Sequence, residues 1–385
     1  MTIAAPIANS LQRASWIRQM FEAGTRLKQQ YGADQVFDFS LGNPILEPPA
    51  KVHETLHALL DDPAPGHHRY MPNGGFPAVR EYLANELREE QGLSFEKEDV
   101  VLCVGAGGGL NVVAKALLEP GDEVVALAPY FVEYGFYVQN HGGVLTVAKT
   151  RQEDFLPDLE ALEAVMTPKT QAIIVNSPNN PTGGLSSADD LALLSAAVPE
   201  DALFIVDEAY YEFARHAGGV DHLPLLRARR GPWVSLRTFS KAFGLAGIRV
   251  GYALCGSDAL ADAFQNARSV FNVNAVAQAG ARAALDDLDH MRWILDQTAR
   301  ERDRLHDGLI ALGARPFPSV ANFVTAAIDR PAAEVVAALA TRGILISRLM
   351  QPGYENYLRI TVGTADDTDA FLAALTEILA PPAAS

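Results

Sequence analysis

Short apolar runs alternate with longer amphipathic stretches along the middle of the chain. Six runs of four or five residues are mostly apolar on both faces, at 100–104, 123–127, 144–148, 172–175, 203–206 and 233–237. Such runs are typical of strands buried in a parallel sheet. The stretches between them, such as 111–118, 186–198 and 258–267, are long enough for crossover helices. The pattern therefore predicts a doubly wound, mostly parallel α/β sheet.

The pattern differs at the two ends of the chain. Residues 11–31 carry a helical apolar stripe that ends at Gly32, and a proline-rich segment follows at 44–49. After a helix that follows Asn274, we expect a long charged helix at about 288–312, and then short strands at 323–327, 344–346 and 357–360 with helices at 332–340 and 366–379. We therefore predict a large domain of residues 49–285 and a smaller α/β domain built from residues 1–48 and 286–385.

The composition narrows the class of protein. The 385 residues carry a formal net charge of −16, which argues against nucleic acid and against an anionic membrane surface as partners. The N-terminus lacks a signal-peptide pattern and no apolar run has the length of a membrane span, so we expect a cytoplasmic protein. Cys103 and Cys255 lie in apolar segments without CxxC spacing and are expected to be buried free thiols. His67 and His68 lack the spacing of a metal site, and we expect no metal.

Polar and turn-forming residues follow four of the predicted strands. They occupy 105–110, 176–183, 207–211 and 238–249. In an open parallel sheet, ligands bind beyond the carboxyl ends of the strands, so we expect these segments to form one site. They supply a glycine-rich turn at a helix N-terminus, an amide, a carboxylate beside a phenol, and a lysine with an arginine.

The last of these segments has the properties of an anion site. It contains Lys241 among hydroxyl groups and small residues, with Arg249 eight residues further on. Small residues let the backbone approach a ligand closely, while Thr238, Ser240 and Arg249 can donate to a phosphate. A neighbouring cation favours the neutral, nucleophilic form of a lysine amine. These properties indicate a lysine that forms a Schiff base.

Each motif alone permits another interpretation. The glycine turn could belong to a dinucleotide fold, but Leu110 stands where the third glycine of GxGxxG would be. Thr238-x-x-Lys241 approximates a serine acyltransferase motif, but the KTG and SDN elements are absent. Asp207 and Glu208 could cap a helix or bind the metal of an ATPase, but no GxxxxGK[ST] segment is present. None of these alternatives explains all four segments.

The segments at 177–183, 207–210 and 240–249 resemble the class I/II aminotransferases, which are pyridoxal-phosphate (PLP) enzymes of fold type I. The residues, their order and their spacing all agree, from about residue 37 to residue 363. The resemblance implies the fold type I PLP-dependent transferase architecture, a homodimer with shared active sites, and an amino acid and a 2-oxo acid as substrates.

Two branches of this family are represented. The segments at 271–274 and 358–364 are most similar to the histidinol-phosphate aminotransferases, whereas 40–44 is closer to the bacterial aspartate and aromatic branch. In the histidinol-phosphate branch an arginine follows a strand of the small domain and contacts the substrate phosphate. Here Ser347 occupies that position, with Arg348 one place later.

The resemblance implies a catalytic or cofactor-binding role for each matching residue. Lys241 would hold the cofactor as a Schiff base and move the substrate proton, and Asp207 would pair with the ring nitrogen. The other implied cofactor contacts are Asn180 and Tyr210 at the 3′-oxygen, Phe131 on the ring face, the backbone of Ala106, Gly107 and Gly108 with Thr238, Ser240 and Arg249 at the phosphate, and Tyr70 from the neighbouring subunit.

The resemblance also implies a substrate site. Arg359 would bind the substrate α-carboxylate through two parallel hydrogen bonds, assisted by Asn180, Asn322 and the backbone of Leu41 and Gly42. We therefore predict an aminotransferase. A PLP-dependent lyase or decarboxylase of the same fold stays open as the alternative, because the same residues would hold the cofactor in those enzymes.

Overall fold

The computed structural model describes residues 16–64 and 69–380. The chain divides into two compact units. The large unit comprises Leu46–Pro178 and Leu185–Leu295, and the small unit comprises the chain up to Ile45, Asn179–Gly184 and the chain from Asp296 onward. The domain limits predicted at residues 48 and 285 stay predictions. The start of the first predicted helix, at 11–15, and the pair His67 and His68 lie outside the described residues.

A seven-stranded sheet forms the centre of the large unit. Its strands are Val100–Cys103 (β2), Glu123–Ala128 (β3), Val144–Lys149 (β4), Thr170–Asn176 (β5), Leu203–Asp207 (β6), Trp233–Thr238 (β7) and Gly251–Cys255 (β8). Their order is β2-β8-β7-β6-β5-β3-β4. Neighbouring strands are parallel except where β8 pairs with β2 and β7. The predicted mostly parallel sheet is confirmed, and β8 is an antiparallel strand that the prediction did not include.

The strands of this sheet differ in burial. Every residue of β2, β6, β7 and β8 is buried, as expected of apolar runs covered on both faces. The same expectation is wrong for β4, where Val144 and Val147 are exposed. Edge position alone does not explain this exposure, because β2 is the other edge strand and is buried throughout. Cys103 and Cys255 are buried free thiols, as predicted, and burial raises the pKa of Cys103 to about 12.

Helices connect the strands of the large unit. They are Ala50–Asp61 (α2), Pro77–Gln91 (α3), Gly105–Leu117 (α4), Glu133–Asn140 (α5), Leu159–Val165 (α6), Ala188–Ala197 (α7), Tyr211–His216 (α8), Leu223–Ala228 (α9), Asp258–Ala267 (α10) and Ala275–Leu285 (α11). Side-chain caps begin several of them. Ser187 Oγ accepts the Asp190 N–H at the start of α7, and Asn274 Oδ1 accepts the Ala277 N–H at the start of α11. A longer helix, Leu288–Ala311 (α12), follows and continues into the small unit.

The small unit includes residues from both ends of the chain. Its sheet has the order β1-β11-β12-β10-β9, with strands Phe37–Phe39 (β1), Arg315–Pro316 (β9), Phe323–Ala327 (β10), Ile344–Arg348 (β11) and Tyr357–Thr361 (β12). Only the pairing of β1 with β11 is parallel. The helices are Trp16–Tyr31 (α1), Ala332–Ala340 (α13) and Ala365–Leu379 (α14). Among the described helices of both units, none combines the length and apolar character of a membrane span.

The two faces of this small sheet differ in chemistry. One face carries apolar side chains that form the core of the small unit, including Val324, Ile346, Leu358 and Ile360. Side chains alternate along a strand, so the residues between these positions lie on the opposite face. That face carries Phe323, Thr325, Ser347, Arg359 and Thr361, all of them buried. Buried polar side chains on a strand need hydrogen-bond partners, which are described below.

Candidate active site

The glycine-rich turn after β2 is the first turn of a helix. Gly105 has φ of 71°, a conformation that glycine adopts readily, and α4 begins at this residue. The N-cap residue Val104 provides no side-chain hydrogen bond to the helix. The first N–H groups of a helix lack intrahelical acceptors, so those of Ala106, Gly107 and Gly108 are placed to bind an anion at the positive end of the helix dipole.

The predicted phosphate donors of the lysine loop converge on this helix start. Arg249 Nη1 donates to Ser240 Oγ at 3.3 Å, and the Thr238 hydroxyl donates to Ser240 Oγ at 2.9 Å. A Cβ added at Gly105 would lie 2.9 Å from Arg249 Nη2. Only a residue without a side chain permits this approach, which brings a guanidinium, two hydroxyls and the helix N-terminus together.

Tyr137, on α5, is an additional donor that the sequence analysis missed. A Cβ added at Gly107 would lie 2.8 Å from Tyr137 Oη, so the hydroxyl lies directly beside the first turn of α4. Burial, together with the nearby Glu133, raises the pKa of Tyr137, and the hydroxyl therefore remains a donor at neutral pH. The spacing of Tyr134 and Tyr137, three residues apart on one helix, is the sequence pattern that could have indicated a shared face.

Asp207 lies at the carboxyl end of β6 with its side chain buried. The Tyr134 hydroxyl donates to Asp207 Oδ2 at 2.7 Å, and the Ala209 N–H donates to Oδ1 at 3.1 Å. Burial raises the pKa of Asp207, and these two hydrogen bonds oppose that rise by stabilising the carboxylate. Tyr134 also packs edge-on against Phe131, with ring centroids 5.6 Å apart. The structure thus brings Phe131 and Asp207 to one tyrosine that was not predicted.

Lys241 and Tyr210 lie at the ends of neighbouring strands. Tyr210 is buried three residues after β6, and Lys241 is half-buried three residues after β7. The strands β6 and β7 pair in parallel, with Asp207 opposite Leu236. The lysine Nζ lies 5.7 Å from the centroid of the Tyr210 ring. The predicted lysine, carboxylate and phenol therefore occupy one edge of the sheet.

A buried ion-pair network lies directly beside Asp207 in the chain and was also missed. Glu208 Oε2 accepts from Arg237 Nε at 3.0 Å and from the Ser235 hydroxyl, while Oε1 lies 2.9 Å from His222 Nδ1. Burial alone would raise the pKa of Glu208, but Arg237 and His222 lower it to about 2. Because Glu208 follows β6 and Arg237 belongs to β7, the network ties together the two strand ends that carry Asp207 and Lys241.

Tyr70 lies on the surface of the large unit. Its side chain is 87% exposed and stacks on Phe271 with ring centroids 4.7 Å apart. Phe271 has φ of 53°, which is uncommon for an aromatic residue. Contact of Tyr70 with a neighbouring subunit stays a prediction.

Arg359 is the central polar residue on the buried polar face of the small unit. It lies on β12, is 7% exposed, and its guanidinium carbon lies 4.0 Å from the centroid of the Phe323 ring. Its Nη1 donates to the Ser40 carbonyl at 3.2 Å. The aromatic ring and the carbonyl orient a planar donor group that suits a carboxylate.

Leu41 and Gly42 are held next to this arginine by two other side chains. The Gly42 N–H donates to Thr361 Oγ1 at 2.9 Å, and the Gly42 carbonyl accepts from Asn322 Nδ2 at 3.2 Å. Thr361 was not predicted, and it occupies the backbone N–H that was expected to help bind substrate. Asn322 Oδ1 is buried and has no hydrogen-bond partner among residues 16–64 and 69–380. An orphaned acceptor of this kind is typical of a ligand site.

Asn180 belongs to the small unit, in the loop Asn179–Gly184. The loop is bonded to β10, where the Thr325 hydroxyl donates to the Pro181 carbonyl.

Ser347 lies opposite Arg359 in the pairing of β11 with β12, and its Oγ donates to the Arg359 carbonyl at 3.2 Å. Arg348 is paired with Leu358, so alternation places it on the other face of the sheet from Arg359.

Among the described residues, no His, Cys, Asp or Glu side chains form a group that could hold a metal ion. The donors that the large unit brings together suit PLP instead. A phosphate needs N–H and cationic donors, which the start of α4 and Arg249 provide, and a protonated pyridine nitrogen needs a buried carboxylate such as Asp207. The two-unit fold and these donors define a class of enzyme, the PLP-dependent transferases of fold type I.

Comparison with known proteins identifies the family. The family model for aminotransferase class I and II matches residues 34–375, and the chain belongs to this family. The protein is therefore a PLP-dependent transaminase.

Several curated relatives are named histidinol-phosphate aminotransferases. Histidinol-phosphate aminotransferase 2 of Methylococcus capsulatus is 37% identical over 343 residues, which cover 88% of this chain and 89% of that protein. Histidinol-phosphate aminotransferase 2 of Caulobacter vibrioides is 32% identical over 380 residues, covering 98% and 95%.

Solved structures show the same fold. The histidinol-phosphate aminotransferase of Sinorhizobium meliloti in complex with pyridoxal-5′-phosphate is similar with a TM-score of 0.81 and 26% identity, covering 92% of this chain and 94% of that one. The aspartate aminotransferase of Thermus thermophilus with maleate has a TM-score of 0.79 and 27% identity, covering 98% and 97%.

Proposed function

We propose that the protein transfers an amino group between an L-amino acid and a 2-oxo acid, with PLP attached covalently to Lys241. One observation supports this most strongly: Lys241, the buried carboxylate of Asp207 and the converging donors Ser240 and Arg249 share one sheet edge with the N-terminus of α4. When bound, PLP withdraws electrons from the substrate Cα and weakens its bonds.

The residues of the large unit move and hold protons. Once the substrate amine has displaced it from the cofactor, the free Lys241 Nζ would take up the proton from the substrate Cα as general base and would then deliver it to the cofactor C4′ as general acid. Asp207 keeps the cofactor ring nitrogen protonated, and Tyr134 orients that carboxylate through its 2.7 Å hydrogen bond. Tyr210 would donate a hydrogen bond to the cofactor 3′-oxygen. Asn180, in the loop Asn179–Gly184 of the small unit, is proposed for the same role.

The remaining cofactor contacts are also proposed from the donor geometry. The Ala106, Gly107 and Gly108 N–H groups bind the phosphate together with Thr238, Ser240, Arg249 and the Tyr137 hydroxyl. Phe131 packs on the ring face.

Tyr70 contacts the phosphate of the neighbouring subunit in a homodimer, which its exposed position supports. Mixing inactive Lys241→Ala with Tyr70→Phe is expected to restore activity in hybrid dimers. If the subunits are shown to exchange and no mixing ratio restores activity, the shared site is rejected.

Arg359 binds the substrate α-carboxylate, and its planar guanidinium keeps that carboxylate in one orientation. A carboxylate held by two parallel hydrogen bonds stays in place while the Cα–H bond breaks, which favours transamination over decarboxylation. Asn322, whose Oδ1 is orphaned among the described residues, lies beside Gly42 at this site.

The residue at position 347 indicates which kind of substrate to expect. Ser347 lies opposite Arg359 and offers a neutral hydroxyl, while Arg348 lies on the other face of the sheet. We propose an amino donor without a phosphate group, in contrast to what the names of the curated relatives indicate for those proteins.

The proposed reaction is tested with the holoenzyme and a panel of amino donors that includes histidinol phosphate. At least one donor is expected to release a 2-oxo acid in amounts equal to the amino group transferred, and borohydride reduction is expected to label the peptide that contains Lys241. Release of carbon dioxide or ammonia without amino transfer, for every donor, would overturn the proposal in favour of a decarboxylase or lyase. Strong preference for histidinol phosphate would overturn the proposal about position 347.

A further inference from the structure

The buried polar face of the small unit places two proposed functional elements on adjacent strands. In the antiparallel pairing of β10 with β12, Thr325 is the residue opposite Arg359, and Phe323 is opposite Thr361. Residues directly opposite each other in an antiparallel pair lie on the same face with their Cβ atoms about 5 Å apart. The Thr325 hydroxyl and the Arg359 side chain therefore project from neighbouring positions of one rigid ladder.

The loop that carries Asn180 is closed by its own hydrogen bonds. The Asn179 N–H donates to the Gly184 carbonyl at 2.8 Å, and the Gly183 N–H donates to the Asn179 carbonyl at 2.7 Å. Asn179 Oδ1 also accepts from the Thr182 N–H and hydroxyl, at 3.2 and 3.1 Å. These bonds make Asn179–Gly184 a compact loop, so a contact that holds one part of it also orients Asn180.

The hydrogen bonds between described residues include two that connect this loop to the segment of the chain around β10. The Thr325 hydroxyl, which is fully buried, donates to the carbonyl of Pro181, the residue that follows Asn180. The Val320 N–H donates to the Gly183 carbonyl at 3.0 Å. Of these two hydrogen bonds, the one from Thr325 is made by a side chain and the other by the backbone. Thr325 makes it from the position opposite Arg359.

We propose that Thr325 is a positioning residue that holds Asn180 in register with Arg359. This inference rests on the proposed roles of Asn180 at the cofactor 3′-oxygen and of Arg359 at the substrate carboxylate. Threonine is also favoured in strands for its branched shape alone. The two explanations differ in one respect: positioning requires the hydroxyl, whereas strand packing requires only the shape.

Thr325→Val preserves the shape and removes the donor, and Thr325→Ser preserves the donor. With Thr325→Val we expect kcat to fall about fivefold, since one buried hydrogen bond is lost, while KM for the donor changes by less than about twofold because Arg359 remains on β12. Thr325→Ser is expected to recover most of the rate. Thr368→Val, which removes another buried hydroxyl of the small unit that donates to the Thr364 carbonyl, is the matched control and should retain the wild-type values.

A second measurement needs no activity. Amide hydrogen exchange of Gly183 in the holoenzyme is expected to be about tenfold faster in Thr325→Val than in the wild type or Thr325→Ser, with exchange on β12 unchanged. If Thr325→Val does not fold, Thr325→Ala and Thr325→Ser repeat the comparison.

The inference is overturned if exchange at Gly183 is unchanged in the variant without the hydroxyl, or if Thr325→Ser behaves like Thr325→Val in both measurements. Failure of the wild-type enzyme to transaminate any donor would instead reject the proposed function. The exchange measurement would still decide whether Thr325 holds the loop.

Discussion

The two units hold their candidate site residues in different ways. In the large unit the residues follow the strands, in turns and first helical turns: Asp207 comes at the end of β6 and Lys241 after β7. In the small unit the residue proposed to bind the substrate carboxylate, Arg359, lies within a strand, on a buried face of β12. The other candidates of this unit lie in loops: Leu41, Gly42, Asn180 and Asn322. Turns allow backbone N–H groups to reach a ligand, whereas a strand face presents side chains at fixed spacing. We therefore expect changes at Lys241 and Asp207 to affect the chemical step and changes at Arg359 to affect substrate binding.

The largest effect is expected from Lys241→Ala. Removal of the amine removes both the covalent attachment and the proposed general base, so turnover should fall on the order of a thousandfold or more. PLP should still bind without covalent attachment through the donors around Arg249. Steady-state kinetics and borohydride labelling measure the two effects. Retention of more than a few per cent of the activity would show that Lys241 is not the base.

Asp207→Ala is expected to lower kcat about a hundredfold or more while the donor KM changes little, because the variant lacks the carboxylate charge that stabilises the reacting state. Asp207→Glu serves as the comparison that retains the charge, and Tyr134→Phe should show a smaller loss because it removes only the hydrogen bond at Oδ2. Near-native turnover of Asp207→Ala would contradict the assignment of this carboxylate.

Arg359→Leu is the corresponding change in the small unit. Loss of the two parallel hydrogen bonds to a carboxylate should raise the donor KM on the order of a hundredfold, with a smaller change in kcat. Arg359→Lys keeps the charge without the planar donor group, so its donor KM should lie between those of the wild type and Arg359→Leu. A kcat loss without a KM change would mean that the contrast between Arg359 and the residues of the large unit is wrong.

The smallest effect concerns stability and a second carboxylate of the large unit. Glu212 Oε2 is buried without a hydrogen-bond partner among the described residues, and burial raises the pKa of Glu212 to about 7. The folded protein then binds this proton more tightly than the unfolded chain. The contribution of Glu212 to the free energy of unfolding is therefore full below about pH 4.5 and is lost as the pH rises through 7. The shift corresponds to at most about 3 kcal/mol.

Urea unfolding at pH 5 and pH 8, at one protein concentration, tests this expectation. Glu212→Gln should lose less of its free energy of unfolding than the wild type between the two pH values, while Glu160→Gln, at an exposed position, should behave like the wild type. Equal pH dependence in all three proteins would show that Glu212 titrates normally. Glu208 adds little to the pH dependence between pH 5 and pH 8, because Arg237 and His222 hold its pKa below the usual value and it stays charged in this range.

The strand pattern predicted the parallel strands of the large sheet to within a few residues, because apolar runs and turn residues are local properties of the chain. It did not predict β8 as part of the sheet or the exposure of β4. Both depend on which segments meet in the fold. β8 pairs antiparallel between β2 and β7, and of the two edge strands β2 is buried whereas β4 is partly exposed. Strand order is set by contacts between distant segments, which local patterns do not contain.

The amino-acid sequence by itself determined which residues we propose for the chemistry: Lys241, Asp207 and Arg249 stand in motifs whose spacing is visible along the chain. Only the tertiary structure decided what supports them. Tyr134 reaches Asp207 across 73 positions, and Thr325 reaches Pro181 across 144. Such partners satisfy buried polar groups, and a buried group accepts any donor that the fold brings within hydrogen-bond distance. The identity of these partners therefore follows from packing and cannot be read from the distance between residues along the chain.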